Sequence, residues 1–188
     1  KPFVKTNKND ANDALAIVEA ASRPSMHFVP IKQVEQQDIQ SIHRIRTRIV
    51  KNQTALINEI RGLCLEYGVV LIPGAARVKS SLCAAIADGD SELTVSSRES
   101  LQGLYEELVG IEARVKNLNT RIRQLCRQNE NCQRILKIPG VGELTATAIV
   151  AAVSDPREFR NGRHMSAWLG LVPRQSSSGD KQTLLGIS

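Results

Sequence analysis

The stretch Ser97–Asn129, SRESLQGLYEELVGIEARVKNLNTRIRQLCRQN, decides the fold. Within it Leu101, Leu104, Leu108, Ile111, Val115, Leu118, Ile122 and Leu125 alternate three and four residues apart without a break. That spacing returns an aliphatic side chain to one helix face at every turn, so the stretch predicts one long helix with its a and d positions filled. Upstream, Gln33 to about Tyr67 contains no Pro and only one Gly, Gly62. Ile42, Ile45, Ile49, Leu56, Ile60 and Leu63 again recur at helical spacing, which predicts a second long helix stopped by Gly68. Between them lie an apolar connector, Val69 to Ala75, and a short helix expected over Ser80 to Ala87, ended by Asp88-Gly89-Asp90. Two such helices make an antiparallel hairpin, a bundle or a dimer seam, and the heptads do not choose among these. The plain reading is a structural stalk.

The bulk numbers bound the rest. The 188 residues are 41% hydrophobic, enough to bury a core, while aromatics make up 3%, too few for a wide base-stacking platform. The formal charge is +6 and the pI about 9.4, which favours a polyanionic partner. Cys64, Cys83, Cys126 and Cys132 form no C-x-x-C pair and have no histidine cluster beside them. They read as buried free thiols in a cytoplasmic protein rather than as a zinc site. No apolar run reaches membrane-spanning length, so no membrane partner is expected. The chain starts at Lys1 and stops at Gly186-Ile187-Ser188, and the expectation is a piece cut from a longer protein at both ends.

Phe3 and Val4 read as a strand-like lead, Asn9 or Asp10 as the cap of a helix over Ala11 to Ala21, and Phe28-Val29-Pro30 as a short extended piece. The last third carries Ile135-Leu136-Lys137-Ile138-Pro139-Gly140-Val141-Gly142-Glu143-Leu144. A short helix ends at a P-G-V-G turn and a second opens at once, running to about Val153, which is a helix-hairpin-helix pattern. The uncompensated N–H groups and positive dipole end of the second helix suit a phosphate oxygen, with no sequence readout. Ala146 and Ala148 are small enough to let the helices pack tightly. From Arg121 to Arg174 nine Lys or Arg face four acids, the excess that backbone binding requires. The bland alternatives are a tight helix–helix turn with no ligand and a solvated charged face. A further helix is expected around His164 to Leu169, and after Gly170 the chain reads as a polar, Ser-rich loop.

Asp10 and Asp13 lie three apart, on one face if a helix starts there, and paired carboxylates can hold Mg²⁺. Alone, the pair reads more simply as acids favouring a helix dipole. In Pro173-Arg174-Gln175-Ser176-Ser177-Ser178-Gly179-Asp180-Lys181 a serine could attack a phosphodiester, with Arg174 and Lys181 supplying charge, though composition alone reads as a flexible loop.

In order, K-N-D-x-x-D-A, a long helical pair, I-P-G-V-G and A-W-L-G-L-V-P-R-Q-S-S-S-G resemble the DEDD-type insertion-sequence transposases, the bridge-RNA-guided recombinases of bacteria. The resemblance implies a mostly α chain in three parts. Residues 1–30 would be the tail of a RuvC-like, ribonuclease-H-like α/β domain, 31–130 a coiled-coil linker or dimerisation region, and 131–188 a small helix-hairpin-helix domain. It further implies that Asp10 and Asp13 are the last two of four Mg²⁺-binding acids, the others lying upstream. Ser178, with Ser177 as its neighbour, would be the nucleophile that becomes covalently joined to DNA. Lys137, Pro139, Gly140, Val141, Gly142, Arg174 and Lys181 would contact DNA. The partners implied are donor and target DNA, a guide RNA, and further copies of the chain as a dimer or tetramer. Two other readings are a non-catalytic helix-hairpin-helix DNA-binding module and a coiled-coil scaffold.

Overall fold

A computed structural model describes residues 9–24, 26, 28, 30–178 and 181–187. The expected strand-like lead at Phe3-Val4 lies outside the described residues, as does Val29. The chain divides into two compact units, 1–32 and 33–188.

The first unit holds α1, Asp10–Ala21. Asn9 caps it: its side-chain oxygen accepts from the Asn12 amide at 2.7 Å, and its extended backbone leads into the first turn. No residue of α1 is buried, and Leu15, Ile17 and Val18 stand exposed.

The second unit is built on α2, Val34–Glu66, and α4, Val95–Gln128. At 1.5 Å per residue each is about 50 Å long. They pack antiparallel within one chain. Arg46 on α2 meets Asn119 on α4, Nε to Oδ1 at 2.6 Å, while Leu56, Ile57, Ile60 and Cys64 share a core with Leu101 and Leu108. The heptads therefore close on a neighbour supplied by the chain itself. Within α2 the seam runs through Ile39, Ile42, Ile49, Leu56 and Ile60, all buried. Ile45, expected on that face, is exposed. The inward place one residue on belongs to Arg46, whose guanidinium and Asn119 form a polar layer that favours one register over its neighbours.

Helix α3, Ala75–Ala87, covers the loop end of the pair with Val78 and Leu82, both fully buried. It begins five residues earlier than its sequence suggested. Arg98 fastens this end. Its guanidinium donates to the carbonyls of Ile86 and Leu93 and to Ser91 Oγ, satisfying backbone acceptors at the end of α3. Lys79 pairs with Glu112 across to α4. Thr94 caps α4 by accepting from the Ser97 amide at 3.1 Å.

At the opposite end lie α5, Glu130–Ile135, and α6, Glu143–Ala152. Ala146 of α6 shares a buried cluster with Cys126 and Cys132, ringed by Ile135, Leu136, Val141 and Val150. Gln36 does two jobs here. Its side-chain oxygen accepts from the Gln33 amide at the start of α2, and its Nε2 donates to the Val150 and Val153 carbonyls at 2.9 and 3.1 Å. The C-terminal carbonyls of α6 are thus held by α2.

A single 3₁₀ turn, Pro156–Glu158, and α7, Gly162–Trp168, follow. The Ser-rich segment is not a loop. It forms strand β1, Pro173–Ser178, antiparallel to β2, Lys181–Ile187, with one register shift between Pro173 and Gln175. Gly-Asp at the two-residue link is a hairpin signal, and Thr183, Leu184, Leu185 and Ile187 suit a strand.

Leu108 is fully buried between the long helices. Leu108→Ala is expected to cost about 2–5 kcal/mol of unfolding free energy, read from the urea midpoint at unchanged m-value. A loss near zero would mean that the seam opens in solution.

Candidate nucleic-acid interface

The turn between α5 and α6 is built from its residue types. The Val141 amide donates to the Ile138 carbonyl at 3.1 Å, enclosing Pro139 and Gly140. Pro at the first central place and Gly at the second, with φ +84°, make a type II turn. Gly140 is required because an L side chain is strained at that φ. Gly142 differs: its φ is −98°, an ordinary value, and a Cβ there would meet nothing within 4 Å. Neither backbone strain nor a close contact within the chain calls for glycine at that position.

Gly142 is the N-cap of α6, and no side chain caps it. The first-turn amides of α6 therefore lack a side-chain acceptor, and the turn before them is open, with Lys137, Ile138, Pro139, Gly140 and Gly142 exposed. Glu143, an acid in that first turn, already complements the helix dipole in part. The cations of this stretch of sequence sort themselves. Arg134 pairs with Glu130 at 3.5 Å and Arg157 with Asp155 at 3.1 Å. Arg121, Arg123, Arg127, Lys137, Arg160 and Arg163 are exposed with no acidic partner among the described residues.

Of the two alanines expected between the helices, Ala146 is fully buried, whereas Ala148 is exposed and lines an open groove of about 490 Å³. The other wall of that groove is α2, with His43, Arg44, Arg48 and Lys51. The sequence reading passed over these α2 cations, although their spacing puts them on one helix face.

Thr147, fully buried, joins the two walls. Its Oγ1 donates to the Glu143 carbonyl at 2.7 Å and lies 2.9 Å from His43 Nε2. With the hydroxyl proton committed to that carbonyl, His43 Nε2 carries the hydrogen and donates to Thr147. Burial, and then the neighbouring Arg46 cation, push the His43 pKa below its ordinary value, so the ring is neutral at pH 7.

The serines lie on β1, where the register pairs Ser178 with Lys181 and Ser177 with Gln182. Gly179 and Asp180 lie outside the described residues. Asp10 and Asp13 sit in the first turn of α1, in the other unit. Two carboxylates fall short of a hard divalent ion's oxygen shell, and among the described residues no group of three or more His, Cys, Asp or Glu converges. The residues present do not by themselves fit a Mg²⁺ site. Three of the four thiols are buried, as their residue type suggests, and Cys83 is exposed. Burial raises the pKa values of Cys126 and Cys132, that of Cys132 to about 12, so neither is a thiolate nucleophile.

Residues 132–188 match the model of the transposase IS116/IS110/IS902 family. The whole chain is 50% identical to the transposase for insertion sequence element IS1111A of Coxiella burnetii, covering 52% of that protein. It is 46% identical to a probable family 20 transposase of Pseudomonas aeruginosa, covering 56% of it. A pilin gene-inverting protein of Moraxella bovis is 32% identical over 63 residues, 32% of this chain and 20% of that protein. The chain spans about half the length of the first two relatives. No solved structure matches it. Among the described residues no helix is long and apolar enough to cross a membrane.

The burial of His43 beside Arg46 makes stability depend on pH. With the folded pKa below the ordinary 6.5, the unfolded chain takes up its proton first as pH falls. The contribution is whole above about pH 6.5 and is lost as pH drops through the folded value. His43→Gln keeps an N–H donor for Thr147 but cannot titrate. Its urea midpoint is expected to fall less than that of the parent between about pH 7.5 and about pH 5. Equal slopes would show that His43 is not the titrating group.

Proposed function

We propose, from the premise that residues 132–188 belong with the IS116/IS110/IS902 transposases, that this chain is the DNA-engaging part of an insertion-sequence transposase that cleaves and rejoins DNA strands. One observation carries the reading. Inside the matched residues, a type II turn delivers an exposed helix start with no side-chain cap, with Lys137 in the turn exposed and without an acidic partner among the described residues. Such a start takes a phosphate oxygen irrespective of base sequence, and the free cations set how steeply affinity depends on salt.

In this reading Ser178, or its neighbour Ser177, is the nucleophile. Its oxygen forms a bond to phosphorus as the bond from phosphorus to one deoxyribose oxygen breaks. The hydroxyl proton goes to a base, and the departing sugar oxygen takes up a proton. Arg174 and Lys181 stabilise the charge that grows on the phosphoryl oxygens. Supporting this are the resemblance of the P-R-Q-S-S-S-G segment and the register that holds Lys181 opposite Ser178. Asp10 and Asp13 would contribute two ligands to a Mg²⁺ site completed by acids outside this chain. Cleaving and rejoining two DNA partners fits a cytoplasmic assembly of several copies, with a guide RNA selecting the sites.

In the full-length protein, Ser178→Ala should cut recombination by at least about 1,000-fold, as loss of a covalent nucleophile does, while DNA affinity holds. Full recombination in both Ser178→Ala and Ser177→Ala would remove the serine from the mechanism. Gly142→Val is expected to lower the melting temperature only by what a poorer N-cap costs, since the position is open and its φ ordinary, yet to weaken DNA binding equally for unrelated sequences. A sequence-dependent loss would contradict phosphate contact at the turn.

A further inference from the structure

The groove between α2 and α6 is separate from the turn before α6, and its lining is basic. Arg44, Arg48 and Lys51 line it from α2. Spaced four and three apart, they project from one helix face over about 10 Å of its axis. Like charges at that spacing repel one another, and an acid among them would relieve the repulsion. None does here. No Asp or Glu lines the groove, and no ion pair among the described residues includes any of the three. The opposite wall is kept low by Ala148 and Ala151, whose methyl groups leave about 490 Å³ open. His43 at its side is already engaged with Thr147, so the basic character of the groove comes from the three α2 cations.

We propose that this groove binds a sugar–phosphate backbone, with Arg44, Arg48 and Lys51 each neutralising one phosphate of a single strand. The spacing argues for a chain of phosphates over a lone anion. Three cations spread along about 10 Å cover about three steps of about 3.4 Å axial rise, so they can serve three of about four successive phosphates on one strand. Lying along the flank of α6, the groove extends the grip beyond the turn at that helix's start. The inference rests on the reading of this chain as a DNA-handling protein, but not on the turn or on the serine.

The strand can come from duplex DNA or from RNA, and one experiment separates them. The full-length protein and its Arg44→Gln/Arg48→Gln/Lys51→Gln variant are titrated over a range of KCl against a fluorescent DNA duplex of arbitrary sequence and against a single-stranded RNA of equal length. Loss of three phosphate contacts should flatten the plot of log affinity against log salt by about 2.7 for the duplex, or about 2 for the single strand. Flattening with the duplex alone assigns the groove to DNA, and flattening with the RNA alone assigns it to RNA. Unchanged slopes for both probes overturn the proposal. Ala148→Glu sets a carboxylate on the exposed wall without touching a cation, so it answers even if the triple variant misfolds. It should weaken binding at unchanged melting temperature, and undiminished affinity counts against the groove. Gly142→Val keeps the two readings apart. If it alone weakens binding, the turn stands and the groove falls; if only the groove variants do, the turn falls.

Discussion

The burial of one face of α2 against one face of α4 is the constraint on which the second unit depends. Helices of this length are not held by backbone hydrogen bonding alone in water; the apolar stripe must be covered. Leu56, Ile60, Leu101 and Leu108 cover it near the loop end, and Ile42 and Ile49 carry the seam on along α2. Between them the Arg46–Asn119 layer is costly to misalign, because a one-turn slip would leave a guanidinium opposite an aliphatic side chain. Fixed length and fixed register turn the pair into a ruler. The groups near its open end are therefore positioned by residues far from any ligand.

Both ends of the ruler are closed by the same device, a polar side chain that collects backbone carbonyls. Arg98 gathers those at the end of α3, and Gln36 gathers those at the end of α6. Helix ends are where backbone groups go unsatisfied, and a buried carbonyl without a donor would cost more than either contact gains. Neither link was visible in the sequence, because each joins residues whose proximity exists only once the helices have packed. Gln36 and Val150 are 114 positions apart.

Legibility followed the same line. The seven α-helices of the described residues were readable because period and punctuation are local: Pro139-Gly140 and Gly68 stop chains by their own stereochemistry, and Asn9 caps by its own side chain. The β-hairpin was missed because three serines were weighed by composition, while the Gly-Asp link and the aliphatic partner strand went unread. Ile45 was placed on the buried face by counting, and packing gave that place to Arg46. Ala146 and Ala148 look alike in sequence, yet one fills a cluster and the other borders open space. Of the site, the turn was fully legible. The α2 cations were not, since only the approach of α6 turns a charged helix face into a walled groove. The chemistry proposed for the Asp10–Asp13 pair and the serines would draw on groups beyond the described residues, which no local pattern contains.

The polarity of α6 ties these pieces together. A helix presents amides at one end and carbonyls at the other, and the two ends attract opposite charge. Here Gln36 satisfies carbonyls at the C-terminal end from within the chain, while the amide end meets no side-chain cap and faces solvent past Gly142. Thr147 pins the middle of the helix to His43 on α2, so the open end cannot swing independently of the long pair. The asymmetry is directional. With the carbonyl end closed and the flank lined by Arg44, Arg48 and Lys51, the accessible surface of α6 offers positive potential at its start and along one side. A phosphate chain following that surface would pass from the groove to the turn, along a helix whose position the α2–α4 seam has already fixed.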